Sequence, residues 1–142
     1  MAWASPNTLL GLVAGVAGIA FGARPTLRRD DFAIVFQGMP WGPGGALTLG
    51  NVILHTGQDL GTPCFTYAHR AGECTEPPIL LSDHERAHVL QYMALGPLFL
   101  PAYLLCGGVS ARNRFEQAAD RYARTGKGWW PWAAPAASST RK

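Results

Sequence analysis

At 142 residues the chain has the length of one domain with a single core, which leaves no room for a second catalytic domain. It is 48% hydrophobic and only 15% charged, with 17 glycines and 11 prolines, an apolar and turn-rich composition for a soluble enzyme that raises the expectation of membrane contact. The net charge of +3 is modest and no basic cluster is interleaved with aromatics, so no nucleic-acid partner is expected; weak attraction to anionic lipid is the more natural use of that charge.

Residues 2–23 carry no charge, and residues 9–21 are apolar on every side. About 20 such residues can span a bilayer, so residues 1–23 are read as a hydrophobic N-terminal helix and membrane anchor. Arg24, Arg28 and Arg29 follow it, which by the positive-inside tendency places the domain on the cytoplasmic side. A cleavable signal peptide and a soluble core helix are the alternatives, although no basic residue precedes the apolar run. Gly11-x-x-x-Gly15 and Gly18-x-x-x-Gly22 suit close approach of two helices, or are small-residue filler.

Residues 31–37 and 46–55 are β-branched and aromatic and read as strands, with a bulge expected at Gly50-Asn51. The turn-rich residues 38–45 between them predict an antiparallel pair. Residues 56–78 lack periodicity and form a long loop, the kind of segment that tends to be functional or mobile. Within it Cys64 and Cys74 form a disulfide if the loop faces an oxidising compartment and are free thiols otherwise, while Cys106 reads as a small buried hydrophobe.

The loop leads into His84-Glu85-Arg86-Ala87-His88, an H-E-x-x-H motif opening a helix, with Ser82 or Asp83 as its cap. Two of the four histidines in the chain lie here. On a helix, His84 and His88 stand one turn apart, roughly 40° around the axis, and can reach one metal ion. Glu85 points about 100° away, suited to a metal-bound water rather than to the metal. Gln91 lies two turns beyond His84 on nearly the same face, as a site residue or as a core-edge amide. His55 and His69 read as structural or solvated.

Gly96-Pro97 ends the motif helix and starts another, which Gly107 and Gly108 stop; residues 98–105 are either a buried core helix or an interfacial segment. Asn113 then caps a helix whose apolar face is Phe115, Ala118, Ala119 and Tyr122. It carries Glu116 and Asp120 one turn apart, a third metal ligand and a partner for the outer nitrogen of a ligand histidine. Trp129, Trp130 and Trp132 beside Lys127 are an interface anchor or a cover for the domain's own core, and a disordered tail is expected after them.

H-E-x-x-H followed by E-x-x-x-D resembles the gluzincin pattern of thermolysin-type metallopeptidases. The resemblance implies His84, His88 and Glu116 as zinc ligands, Glu85 as general base and Asp120 orienting the first histidine. Residues 44–120 also resemble a group of small bacterial proteins of that motif, which implies a bacterial inner membrane as the location. The resemblance to zinc peptidases implies that residues 46–54 are a strand edge that holds an extended peptide. The expectation is therefore an α+β domain over residues 24–125: a hydrophobic N-terminal helix, a short antiparallel hairpin, the zinc-motif helix and two further helices. Its expected activity is Zn²⁺-dependent hydrolysis of a peptide or protein substrate at a membrane, with Tyr103 or Tyr122 as the oxyanion donor. The alternative is a non-catalytic membrane-associated protein in which the same residues make a structural metal site or a polar core.

Overall fold

Val52–His55 (β4) is buried at all four positions, because it runs through the middle of a sheet with helices on both faces. The computed structural model describes residues 2–42 and 44–134, so the expected disordered tail lies outside the described residues. The protein is α+β, with a four-stranded sheet in the order β1-β2-β4-β3 made from Arg24–Arg28 (β1), Ala33–Gln37 (β2), Ala46–Leu49 (β3) and β4.

The antiparallel hairpin is β3 with β4, closed by Leu49 opposite Val52. Gly50, at φ 63°, opens its two-residue turn, so Gly50-Asn51 is the hairpin turn and not a bulge within one strand. The pairing expected between residues 31–37 and 46–55 is a different one: β2 pairs parallel with β4, Val35 opposite Ile53. β4 lies between β2 and β3, so the strands that flank residues 38–45 in the sequence are not neighbours in the sheet. β1 is an additional, mostly exposed edge strand antiparallel to β2, and Pro25 is tolerated because it sits at the edge.

Ser5–Ile19 (α1) covers one face of the sheet. Along β2 and β4, Phe36, Val52 and Leu54 face it, and Ala33, Val35 and Ile53 face the other way. α1 approaches with Gly11, Gly15 and Gly18: a Cβ on Gly15 would lie 2.3 Å from the Phe36 ring, and one on Gly11 would lie 2.7 Å from Val52 Cβ. The glycine spacing is thus used for helix-on-sheet packing inside this chain. α1 is 15 residues and belongs to the domain's own layers; the helical run long and apolar enough to cross a membrane, by length and composition, is Leu81–Leu105.

That run begins with Leu81–Leu95 (α3), which covers the second face of the sheet through Leu81 and Val89. Its N-cap is Leu80 with no side-chain cap; Ser82 and Asp83 lie inside the first turn, where Asp83 favours the helix dipole. Gly96 ends it at φ 56° and opens a 3-10 turn over Gly96–Leu98, and Phe99–Leu105 (α4) follows with only Phe99 buried. Arg114–Thr125 (α5) is capped by Asn113, whose Oδ1 accepts from the Phe115 amide at 2.9 Å, and it packs along α3. The long loop is less irregular than its sequence: Pro63–Cys64 (β5) pairs with Ile79–Leu80 (β6), and Tyr67–Arg70 (α2) is a short helix closed by a Thr66–His69 capping box. The three cysteines are free. Trp132 stacks edge-on against Phe115 at 5.8 Å, and Arg121 donates to the Gly128 and Trp130 carbonyls, so the tryptophan segment covers the domain's own core.

Candidate metal centre

α3 turns three faces to three neighbours, and that division builds the site. Leu81 and Val89 enter the sheet core, Glu85 meets β3, and His84, His88 and Gln91 face α5. From α5 come Glu116 and Asp120, one turn apart on its buried face. All six site residues are nearly or fully buried, which for this many polar groups requires that each find a partner.

The partners fix the proton positions. His84 Nδ1 lies 2.9 Å from Asp120 Oδ1, an acceptor, so Nδ1 carries the proton. His88 Nδ1 lies 2.8 Å from Gln91 Oε1. The Gln91 amide cannot be reversed, because its Nε2 donates to the Phe115 carbonyl at 3.1 Å and the Trp129 carbonyl at 2.8 Å. His88 Nδ1 therefore also carries its proton. Gln91 does for His88 what Asp120 does for His84.

Both Nε2 atoms are then lone-pair sites, and they converge. They lie 3.1 Å apart, and Glu116 Oε2 is 3.1 Å from His84 Nε2 and 3.5 Å from His88 Nε2. Glu116 Oε2 has no hydrogen-bond partner despite its burial; the imidazole contacts are close but not directed as hydrogen bonds. Three buried acceptors facing one point repel one another unless positive charge sits among them. A tetrahedral ion with nitrogen and oxygen ligands at about 2.0–2.2 Å sets those ligands roughly 3.3–3.6 Å apart, close to the observed triangle. His84, His88 and Glu116 thus form a group that can hold a metal ion, and they fit one.

The titration behaviour has the same cause. Burial alone would push Glu116 up, but the imidazoles of His88 and His84 outweigh it and hold the carboxyl well below the usual carboxylate range. Burial would lower His84, yet Asp120 and Glu116 raise it well above an ordinary histidine. Without a metal, a proton is the substitute cation.

Glu85 is not part of the triangle. Its Oε2 accepts from Thr48 Oγ1 at 2.6 Å, which aims the carboxylate from the helix toward β3. Glu85, the three candidate ligands, Thr48, Tyr67 and Tyr103 line one cavity of about 140 Å³. Tyr103 donates its hydroxyl to Glu116 Oε1, leaving only Oε2 to face the imidazoles. Tyr103 is therefore committed to a ligand carboxylate, and Tyr122, half-buried on α5, is not among the residues lining the cavity. His55 lines a neighbouring cavity, and His69 caps α2. Thr48 and Tyr67 were not legible in the sequence: one depends on strand pairing, the other sits in an aperiodic loop.

Asp120→Asn keeps the shape of the His84 contact but removes the charge that holds its tautomer. Metal affinity should fall about 10- to 100-fold, measurable by competition with a chromophoric chelator.

No family model, curated protein or solved structure matches the chain.

Proposed function

We propose that the protein is a zinc-dependent peptide-bond hydrolase of the gluzincin type. The observation that carries the reading is the convergence of His84 Nε2, His88 Nε2 and Glu116 Oε2 beside a cavity lined by a second carboxylate outside the triangle, Glu85. A structural metal site is closed by four protein ligands, whereas a catalytic one keeps a position open. Among the described residues only three candidate ligands meet here.

When bound, zinc supplies Lewis acidity for the scissile carbonyl and lowers the pKa of its water to about 7. The remaining work belongs to side chains of the chain itself. Asp120 and Gln91 hold the two imidazoles as Nδ1–H tautomers with their Nε2 lone pairs inward. Glu85, held by Thr48, accepts the proton of the attacking water and delivers it to the leaving amine nitrogen. Tyr67, whose hydroxyl has no hydrogen bond among the described residues, replaces Tyr103 and Tyr122 as the oxyanion donor in this reading.

The substrate is an extended peptide. Among the described residues β3 pairs only with β4 and lies at the sheet edge, and Ala46, Leu47 and Thr48 line the same cavity as Glu85. An edge strand beside a reaction centre offers backbone groups for strand addition. That role narrows from residues 46–54 to β3, since β4 is interior.

Zinc-replete protein should cleave members of an unbiased peptide library, lose the activity to a strong chelator, and regain it on zinc addition. Cleavage that survives complete chelation would contradict the reading.

A further inference from the structure

α1 is built with its polarity reversed for a helix in water. Gly11, Gly15 and Gly18 face the sheet, while Leu9, Val13 and Val16 form the opposite stripe, with Leu10 beside it. Each of these four large side chains is 60–69% exposed. An outer helix of a water-soluble domain puts its large apolar residues inward and charge outward; here residues 2–23 carry no charge at all. Exposed aromatics bracket the stripe, Trp3 at one end and the Phe21–Trp41 edge-to-face pair at the other. Aromatic rings of this kind favour the boundary between lipid and water.

The apolar surface continues beyond the helix. A groove of about 400 Å³ runs between the first turns of α1 and the β1–β2 turn, lined by Leu27, Phe32 and Ile34. Arg28 and Arg29 stand in the same groove. Asp31 pairs with Arg28, but Arg29 and Arg24 have no ion pair among the described residues. Three arginines, Arg24, Arg28 and Arg29, against two carboxylates, Asp30 and Asp31, leave a small net positive charge, which beside an aliphatic surface complements anionic headgroups above acyl chains.

We propose that the outer face of α1 and this groove form a docking surface for an anionic lipid bilayer, on which the domain lies without crossing it. α1 is about 22 Å long, short of the roughly 30 Å hydrocarbon core, and its glycine face is already occupied by the sheet. The surface lies across the sheet from the metal centre, so the proposal stands or falls independently of the hydrolase reading.

The test is flotation of the full chain with vesicles of phosphatidylcholine alone and of phosphatidylcholine mixed with phosphatidylglycerol. The protein should float with the mixed vesicles, more weakly with the neutral ones, and be released by alkaline carbonate. Val13→Gln and Val16→Gln should each weaken binding about tenfold or more. Arg29→Gln should weaken it roughly fivefold on mixed vesicles only. All three positions are exposed, so an unchanged melting temperature checks that the variants fold. The proposal is overturned if neither vesicle binds the protein or if Val13→Gln and Val16→Gln bind as the parent does. Resistance to carbonate release would overturn it in favour of a spanning segment. A lipid-free dimer that the two valine variants dissolve would assign the face to a second copy of the chain.

Discussion

Glu85→Gln should reduce peptide cleavage by about 10²- to 10⁴-fold while leaving metal content unchanged. That loss corresponds to roughly 3–5 kcal/mol of transition-state stabilisation. The two halves of the result have separate physical origins. Glu85 lies on the face of α3 that meets β3, outside the triangle of His84, His88 and Glu116, so the metal ligands keep their positions. The amide is nearly isosteric and still accepts from Thr48 Oγ1 through its carbonyl oxygen, so the cavity keeps its shape. What disappears is a carboxylate able to take a proton. Equal activity of parent and variant, measured with matched zinc content, would remove Glu85 from the mechanism.

Glu116→Gln should weaken the site both with and without metal. Metal affinity should collapse, because an anionic ligand at the apex of the triangle becomes a neutral amide. In the metal-free protein the same change removes the buried carboxylate that, with Asp120, favours a proton on His84, so the charge pairing at the centre of the site is lost. Metal-free Glu116→Gln should therefore melt below the metal-free parent, and gain little when zinc is added. His88→Ala should also lose stoichiometric metal. Calorimetry of the three proteins with and without zinc checks both losses, and a Glu116→Gln variant that binds zinc like the parent would exclude Glu116 as a ligand.

The site was legible where its geometry is local to a helix. The i, i+4 spacings of His84 with His88 and of Glu116 with Asp120 dictate which side chains share a face, and Asn113 announces the helix that carries the second pair. Gln91 was visible for the same reason, although its service to His88 needed the Phe115 and Trp129 carbonyls to become clear. Thr48 and Tyr67 reach the cavity only through tertiary contacts, and no local pattern encodes those. Strand order was lost because residues 46–55 look like one strand when β3 and β4 are both apolar; only Gly50 at positive φ divides them. The N-terminal helix was read from hydropathy alone, which cannot tell which side packs inward. Small residues at positions 11, 15 and 18 carried that information, and it points to a sheet rather than to a second helix.

The central claim is that three side chains hold one metal ion and leave it a free position beside Glu85. The most direct measurement is elemental analysis of metal-replete purified protein combined with X-ray absorption at the metal edge. The account predicts about one zinc per chain, with two imidazole nitrogens and one carboxylate oxygen from the protein and solvent in the remaining position. Absence of a stoichiometric transition metal, or an ion closed by four protein ligands, would contradict it.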